Sequence, residues 1–178
     1  MLFRKRNSEY LVSERINSMA FDRAKAYLEK CGLANRIIET EHSSATVAAA
    51  AEALGCEEAM IAKTLSFLQE DRPVLILADG TARIDNRKYK DRFGCKAKMI
   101  PAELVEPLIG HDIGGVCPFG VNDGVSVYLD ESLRRHEYIY PAVGNDHSGV
   151  KLTIPELEGC SGYLGWVDVC KQPEYSNK

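Results

Sequence analysis

The sequence predicts an α+β fold, a single domain with a mixed β-sheet packed against helices, and three observations lead there. Helix-like and strand-like stretches are intermixed, joined by both hairpin-like and crossover connections, which does not suit a purely parallel doubly wound sheet. The run Val74 to Ala78 (VLILA) is apolar throughout, as a strand covered on both faces is. The 178 residues, 45% apolar and 27% charged, suffice for one core and lie far from the composition of a disordered chain.

Taken in order, Asn17 or Ser18 caps a helix through Phe21, Ala24 and Leu28, with Gly32 as its stop. The domain is expected to span 19–172, preceded by an N-terminal extension, 1–18, to which the sequence assigns no role, and followed by a polar tail, 173–178. SSATVAAAAEALG reads as a helix capped by Ser44 or Thr46, with Val47, Ala50, Ala51 and Leu54 on one face and Gly55 as terminator. A short helical piece, EEAMIA, leads into the strand KTLSFL. Alternation there puts Lys63, Leu65 and Phe67 on one face and Thr64 and Ser66 on the other. Asp79-Gly80 is a turn signal, so VLILA is expected to form a hairpin with TARID. Asn86 to Phe93 reads as a helix ended by Gly94, and CKAKMI after it as a strand. Pro101 opens a helix through Leu104, Leu108 and Ile109 that stops at Gly110. GGVCPFG, with three glycines and a proline in seven residues, is a shaped loop. Strand VSVYL, a helical turn near Leu133, strand EYIYPA, loop GNDHSG, a helix near Pro155 to Leu157 and strand WVDV complete the chain.

Composition narrows the function classes. No apolar run approaches the roughly 18–20 residues that cross a bilayer, and the basic N-terminus is interrupted before a signal-peptide core forms, so a cytoplasmic protein without membrane contact is expected. Six cysteines in such a chain are expected as free thiols. CxxC and HExxH are absent, and no metal and no cofactor are expected. The net charge of −4 argues against indiscriminate nucleic-acid binding. Locally, however, seven basic residues (Arg83, Arg87, Lys88, Lys90, Arg92, Lys96, Lys98) stand against Asp85 and Asp91. Two readings are open for this run: a solvated face, or a patch that tracks phosphates, with Arg83, Arg87 and Lys88 as candidate contacts to a phosphate backbone. Lys63 is equally open, as a lysine snorkelling from a strand end or as an ammonium held in a cleft.

Three features in sequence carry a family resemblance. They are S-x-T-x3-A-A-x2-L-G-x5-I-x-K-T-L-x-F from Ser44 to Phe67, then GGVCPFG, then VYLD followed by a Gly-Asn-rich loop from Gly144 to Gly149. In this order and spacing, from Phe21 to Cys170, the chain resembles the YbaK/ProX family, which includes the editing domain inserted in bacterial prolyl-tRNA synthetases and its free-standing relatives. The resemblance implies hydrolysis of a mischarged aminoacyl-tRNA, with Cys- or Ala-tRNA of proline specificity as first candidates and a synthetase as a further partner. Lys63 matches the family's functional lysine, where an ammonium favours developing negative charge. Gly114 and Pro118 match its G-x-x-x-P loop, with Gly115 assisting; lacking a Cβ there lets main-chain groups approach the aminoacyl moiety.

His42 stands before the alanine-rich helix, near the pocket in related proteins, and reads either as a site residue or as structural. Asn145, Asp146 and His147 fall in the late substrate-contacting loop. Cys117 lies inside the G-x-x-x-P loop and reads as a pocket-lining residue or a catalytic thiol. GxSxG is absent, so water is the expected nucleophile. A second class of function is a non-catalytic protein that senses aminoacyl-tRNA or a free amino acid with the same pocket. A sequence-reading DNA-binding protein finds no support, since no helix-turn-helix or zinc module is present.

Overall fold

The computed structural model describes residues 19–173, so the expected cap at Asn17 or Ser18, the 1–18 extension and most of the 173–178 tail lie outside the described residues. Its centre is a four-stranded sheet in the order β2-β3-β5-β9, built from Ala62–Gln69 (β2), Arg72–Asp79 (β3), Ser126–Asp130 (β5) and Gly165–Val167 (β9). β2 runs antiparallel to β3, with Lys63 opposite Ala78 and Thr64 opposite Leu77, whereas β5 and β9 run parallel to β3. The sheet is therefore mixed, as the sequence predicts.

The apolar run of β3 is buried on both faces because helices cover both. On one face, Leu75 and Leu77 of β3 and Val127 and Leu129 of β5 pack against the helix at 19–30 (α1) through Ala24 and Leu28. The helices Ala102–Ile109 (α4) and Ile154–Cys160 (α5) add Val105, Ile109, Leu157 and Cys160 to the same core. On the other face, Val74, Ile76 and Ala78 meet Phe67, Val167 and Val169, with Tyr89 of the helix Asn86–Phe93 (α3) closing the layer. Each buried aliphatic side chain contributes about 1.5–3 kcal/mol, so this two-sided strand anchors the domain.

Local signals place the helices. Thr46 caps the helix Val47–Leu54 (α2) by accepting from the Ala49 amide at 3.2 Å, and left-handed Gly55 ends it. Asp85 caps α3 by accepting from the amides of Arg87 and Lys88. Thr153 and Glu156 form a capping box at the start of α5.

Three strand expectations need correction, all where pairing partners are distant in sequence. TARID does not form a hairpin with VLILA: both edges of β3 are taken by β2 and β5, and only Arg83–Ile84 (β4) is extended, pairing with Cys170–Lys171 (β10). The hairpin of β3 is with β2, through Glu70 and Asp71, whose φ values of 46° and 66° are those of a tight strand-matching turn. CKAKMI is not a strand; it makes one bridge, Met99 to Phe67. EYIYPA shrinks to Tyr138–Ile139 (β6), paired with Leu152–Thr153 (β8), while Tyr140 bridges to Ile61. Ile37–Glu39 (β1) pairs with Ser148–Val150 (β7).

Candidate functional site

A cavity of about 330 Å³ opens beside the outer edge of β2, the one not paired with β3. Its walls are the alanine face of α2 (Val47, Ala50, Leu54), the start of α4 (Ala102, Val105), the loop at Ile113, Gly114 and Val116, and the segments Tyr140–Ala142 and Ser148–Gly149. Ile61 to Thr64 and Ser66 form its β2 side. The lining is mainly apolar, with hydroxyl-bearing residues Ser44, Thr46, Thr64, Ser66 and Ser148 and a single charged residue, Lys63.

Most of those hydroxyls are committed elsewhere. Thr46 caps α2, Ser44 Oγ donates to the Asp146 carbonyl at 2.7 Å, and Ser148 Oγ donates to Asn145 Oδ1 at 2.6 Å. Thr64 Oγ1 is buried with no partner among the described residues. As the strand alternation predicts, Thr64 and Ser66 face the cavity while Leu65 and Phe67 join the α3 side.

Lys63, the second residue of β2, is among the residues that line the cavity, but the strand alternation sends its side chain off on the side of Leu65 and Phe67, where its ammonium donates to the carbonyl oxygens of Gly80, at 3.0 Å, and Ala82. Burial lowers its pKa below the ordinary lysine value, against the opposing pull of Cys170 and Asp79. The turn that presents those carbonyls is fixed by Asp79, whose carboxylate is fully buried. It accepts from the Thr81 amide and hydroxyl at 2.8 and 2.6 Å, from Arg135 Nε at 2.9 Å, and from His136 Nε2 at 2.6 Å. Burial would push the Asp79 carboxyl up, but those hydrogen bonds more than offset it and hold the pKa below the usual range. Gly80 is locked as well, since a Cβ there would fall 2.8 Å from Val47 Cγ1.

Gly114 lines the cavity with φ +92°, a conformation that favours glycine, and a Cβ there would sit 3.2 Å from Asp146 Cβ. Gly115 is buried behind it: a Cβ would lie 2.5 Å from Asn145 Cα and Gly144 C, so the two loops touch backbone to backbone. Pro118 is buried below the loop and does not line the cavity. Cys117 is wholly buried, with burial pushing its thiol up to about 12, and its neighbour His111, 3.8 Å away at Nδ1, is pushed down to about 4 by burial. A neutral thiol beside a neutral imidazole, both out of the cavity, is a packing arrangement and not an activated nucleophile.

The late loop contributes differently from expectation. Asn145 accepts from the His147 amide at 3.0 Å, Asp146 accepts from Ser43 Oγ at 2.5 Å and its other oxygen meets His147 Nδ1 at 2.6 Å; none of the three lines the cavity. Their role is to set the loop, and Ser148 and Gly149 supply its wall. His42 is exposed, and only its carbonyl is engaged, by Thr40 Oγ1 at 2.9 Å. Of the basic residues, Arg83 and Arg87 are exposed, whereas Lys88 is committed to Asp168, at 2.7 Å, and the Cys170 carbonyl. α3 covers the sheet face opposite Thr64 and Ser66. The residues sequence reasoning missed are the apolar walls, Met99, Val105, Ile113 and Tyr140, which carry no signal distinguishing them from core.

No group of three or more ligating side chains is placed to hold a metal among the described residues, and no described helix is long and apolar enough to cross a membrane.

Fold and cavity together define an α+β domain with a small, mostly apolar pocket at a sheet edge. Comparison with known proteins makes the class particular. Residues 41–160 match the aminoacyl-tRNA editing domain, and the chain belongs to that family, the YbaK family. It is 43% identical over 157 residues to the uncharacterized protein YwhH of Bacillus subtilis (strain 168), covering 88% of this chain and all of that one. It is 32% identical over 95 residues to the proline–tRNA ligase of Limosilactobacillus fermentum, covering 50% of this chain and 17% of the ligase. A crystal structure described as a candidate trans-editing enzyme for prolyl tRNA synthetase superposes with a TM-score of 0.77 at 31% identity, covering 85% of this chain and 97% of that one.

Proposed function

We propose that this chain hydrolyses the ester of a mischarged aminoacyl-tRNA, with Cys- or Ala-tRNA of proline specificity as the first substrates. The observation that carries the reading is the cavity itself. At about 330 Å³ it stands at the small end of the roughly 300–1,000 Å³ of ligand sites, which suits a small side chain and the end of its ester. Its lining pairs no nucleophile with a base, which favours water as the attacking group, with the ester held still and the substrate chosen by pocket volume. Lys63 is the cation beside this cavity, and its role is to favour the negative charge that develops as water attacks. Gly114 shapes the loop wall, where φ +92° favours a residue without a Cβ and an added Cβ would press on Asp146 Cβ at 3.2 Å.

The phosphate backbone of the tRNA is met along the outer side of β2, where Lys96 and Lys98 are exposed on the segment leading to Met99, and continues toward Arg83 and Arg87. Lys88, paired with Asp168, is left out of that path.

The test is hydrolysis of Ala-, Ser-, Cys- and Pro-tRNA of proline specificity by the wild type and by Lys63→Ala. Selective loss of one ester, reduced at least tenfold by the substitution, is expected. Binding without hydrolysis above the buffer rate would replace the deacylase with a sensor of aminoacyl-tRNA.

A further inference from the structure

The outer edge of β2 is paired at both ends and open between them. At one end the Ala62 amide donates to the Tyr140 carbonyl at 3.1 Å, and the Tyr140 amide donates to Met60. At the other, the Ile100 amide donates to the Ser66 carbonyl at 3.1 Å and the Leu68 amide to Lys98 at 2.9 Å. In a strand the N–H and C=O of one residue point to the same side, and the side alternates from residue to residue. Ala62, Ser66 and Leu68 bond outward, so Thr64 does too, and its main-chain N–H and C=O face away from β3. No hydrogen bond to either group, beyond the strand's own ladder, is present among the described residues. The gap falls inside the cavity, with Thr64 flanked there by Tyr140 and Ile100, and the Thr64 hydroxyl is also buried without a partner. Three polar groups of one residue are thus left unmatched at one point of an apolar wall, where an unmade hydrogen bond is costly.

An aminoacyl ester carries the complementary pattern. Its ammonium donates, its ester carbonyl accepts, and in the extended conformation both lie on one side, as in a single residue of a β-strand. We propose that Thr64 binds the aminoacyl moiety as a one-residue strand added to the β2 edge: the substrate ammonium donates to the Thr64 carbonyl, and the Thr64 amide donates to the ester carbonyl. This rests on the editing function proposed above and specifies what its site grips. The pairing holds the reacting carbon at a fixed place on the edge, turns the amino-acid side chain toward a wall of the cavity, and aims one main-chain N–H at the oxygen that becomes negative as water attacks. Recognition through the main chain is indifferent to the identity of the side chain, which leaves discrimination to cavity volume.

The probe is 3′-(L-alanylamino)-3′-deoxyadenosine, whose amide linkage replaces the ester, titrated into the full 15N-labelled chain. Amide exchange at Thr64 is expected to slow at least tenfold at saturation, alongside shifts at Gly114 and Lys63. The N-acetylated analogue, which has lost the ammonium, is expected to bind at least tenfold more weakly. Replacing Thr64 by the corresponding α-hydroxy acid, which substitutes an ester oxygen for the N–H alone, is expected to lower kcat at least tenfold for the preferred tRNA. If the probe shifts Gly114 and Lys63 while Thr64 exchange stays at its free rate, or if the acetylated analogue binds equally well, the strand pairing is wrong and the editing function stands. Should the probe bind nowhere and no aminoacyl-tRNA be hydrolysed, the editing function falls and the pairing with it.

Discussion

Gly115→Ala tests whether the cavity loop is held by backbone contact. The added methyl would lie 2.5 Å from Asn145 Cα and from Gly144 C, and both are main-chain atoms that no rotamer change can move aside. Overpacking a filled site costs roughly 1–3 kcal/mol, and a clash with two backbone atoms belongs at the upper end. At about 3 kcal/mol, a domain of this size loses roughly 6–12 °C in Tm. Gly159→Ala is the internal control: it lies in α5, outside the left-handed region, and a Cβ there meets nothing within 4 Å. Relief of the glycine entropy should raise its Tm by roughly 1–4 °C. Thermal melts followed by circular dichroism at matched concentration compare the two. A Gly115→Ala melt within 2 °C of the wild type would mean that the two loops do not touch as described.

Two further outcomes follow from buried titratable groups. His111 sits near pKa 4 in the fold against 6.5 for the free side chain, so the unfolded chain takes up its proton first as pH falls. Stability is fully present above about pH 6.5 and declines toward pH 4, by about 3 kcal/mol in all; His111→Gln should flatten urea midpoints over that window, and an unchanged slope would count against the burial argument. Burial pushes the thiols of Cys117, Cys160 and Cys170 up to about 12, while Cys31 is exposed. A thiol-reactive chromophore should therefore label Cys31 quickly and those three only on unfolding, whereas rapid native labelling of Cys117 would revive it as a reactive thiol.

What the sequence made legible is local. Thr46, Gly55, Gly94 and Gly110 act within one turn of the chain, so those helix limits followed from caps and stops, whereas the cap at Asp85 emerged only with the structure. Period-two alternation in KTLSF separated Thr64 and Ser66 from Leu65 and Phe67 before any contact was known. Pairing was not legible, because Arg83 and Lys171 meet across about half the length of the chain and nothing near TARID says that both edges of β3 are already taken. For the same reason Asn145 and Asp146 looked like substrate contacts: their spacing fits the loop, but their side chains turn inward to Ser43, His147 and Ser148. The Asp79 cluster was invisible too, since Arg135 and His136 reach it from a separate 3-10 turn, Glu131–Arg135.

The parallel pairing of β3 with β5 has a cost during synthesis. β2 can cover one edge of Val74 to Ala78 as soon as both have left the ribosome, but the other edge waits for Ser126–Asp130. About 50 residues must be made in between, which at roughly 5–20 residues per second leaves the most apolar strand of the chain half-paired for about 2–10 s. During that interval the nascent chain offers a bare strand edge to any other nascent or unfolded chain nearby, and its yield in a cell depends on what shields that edge until translation catches up.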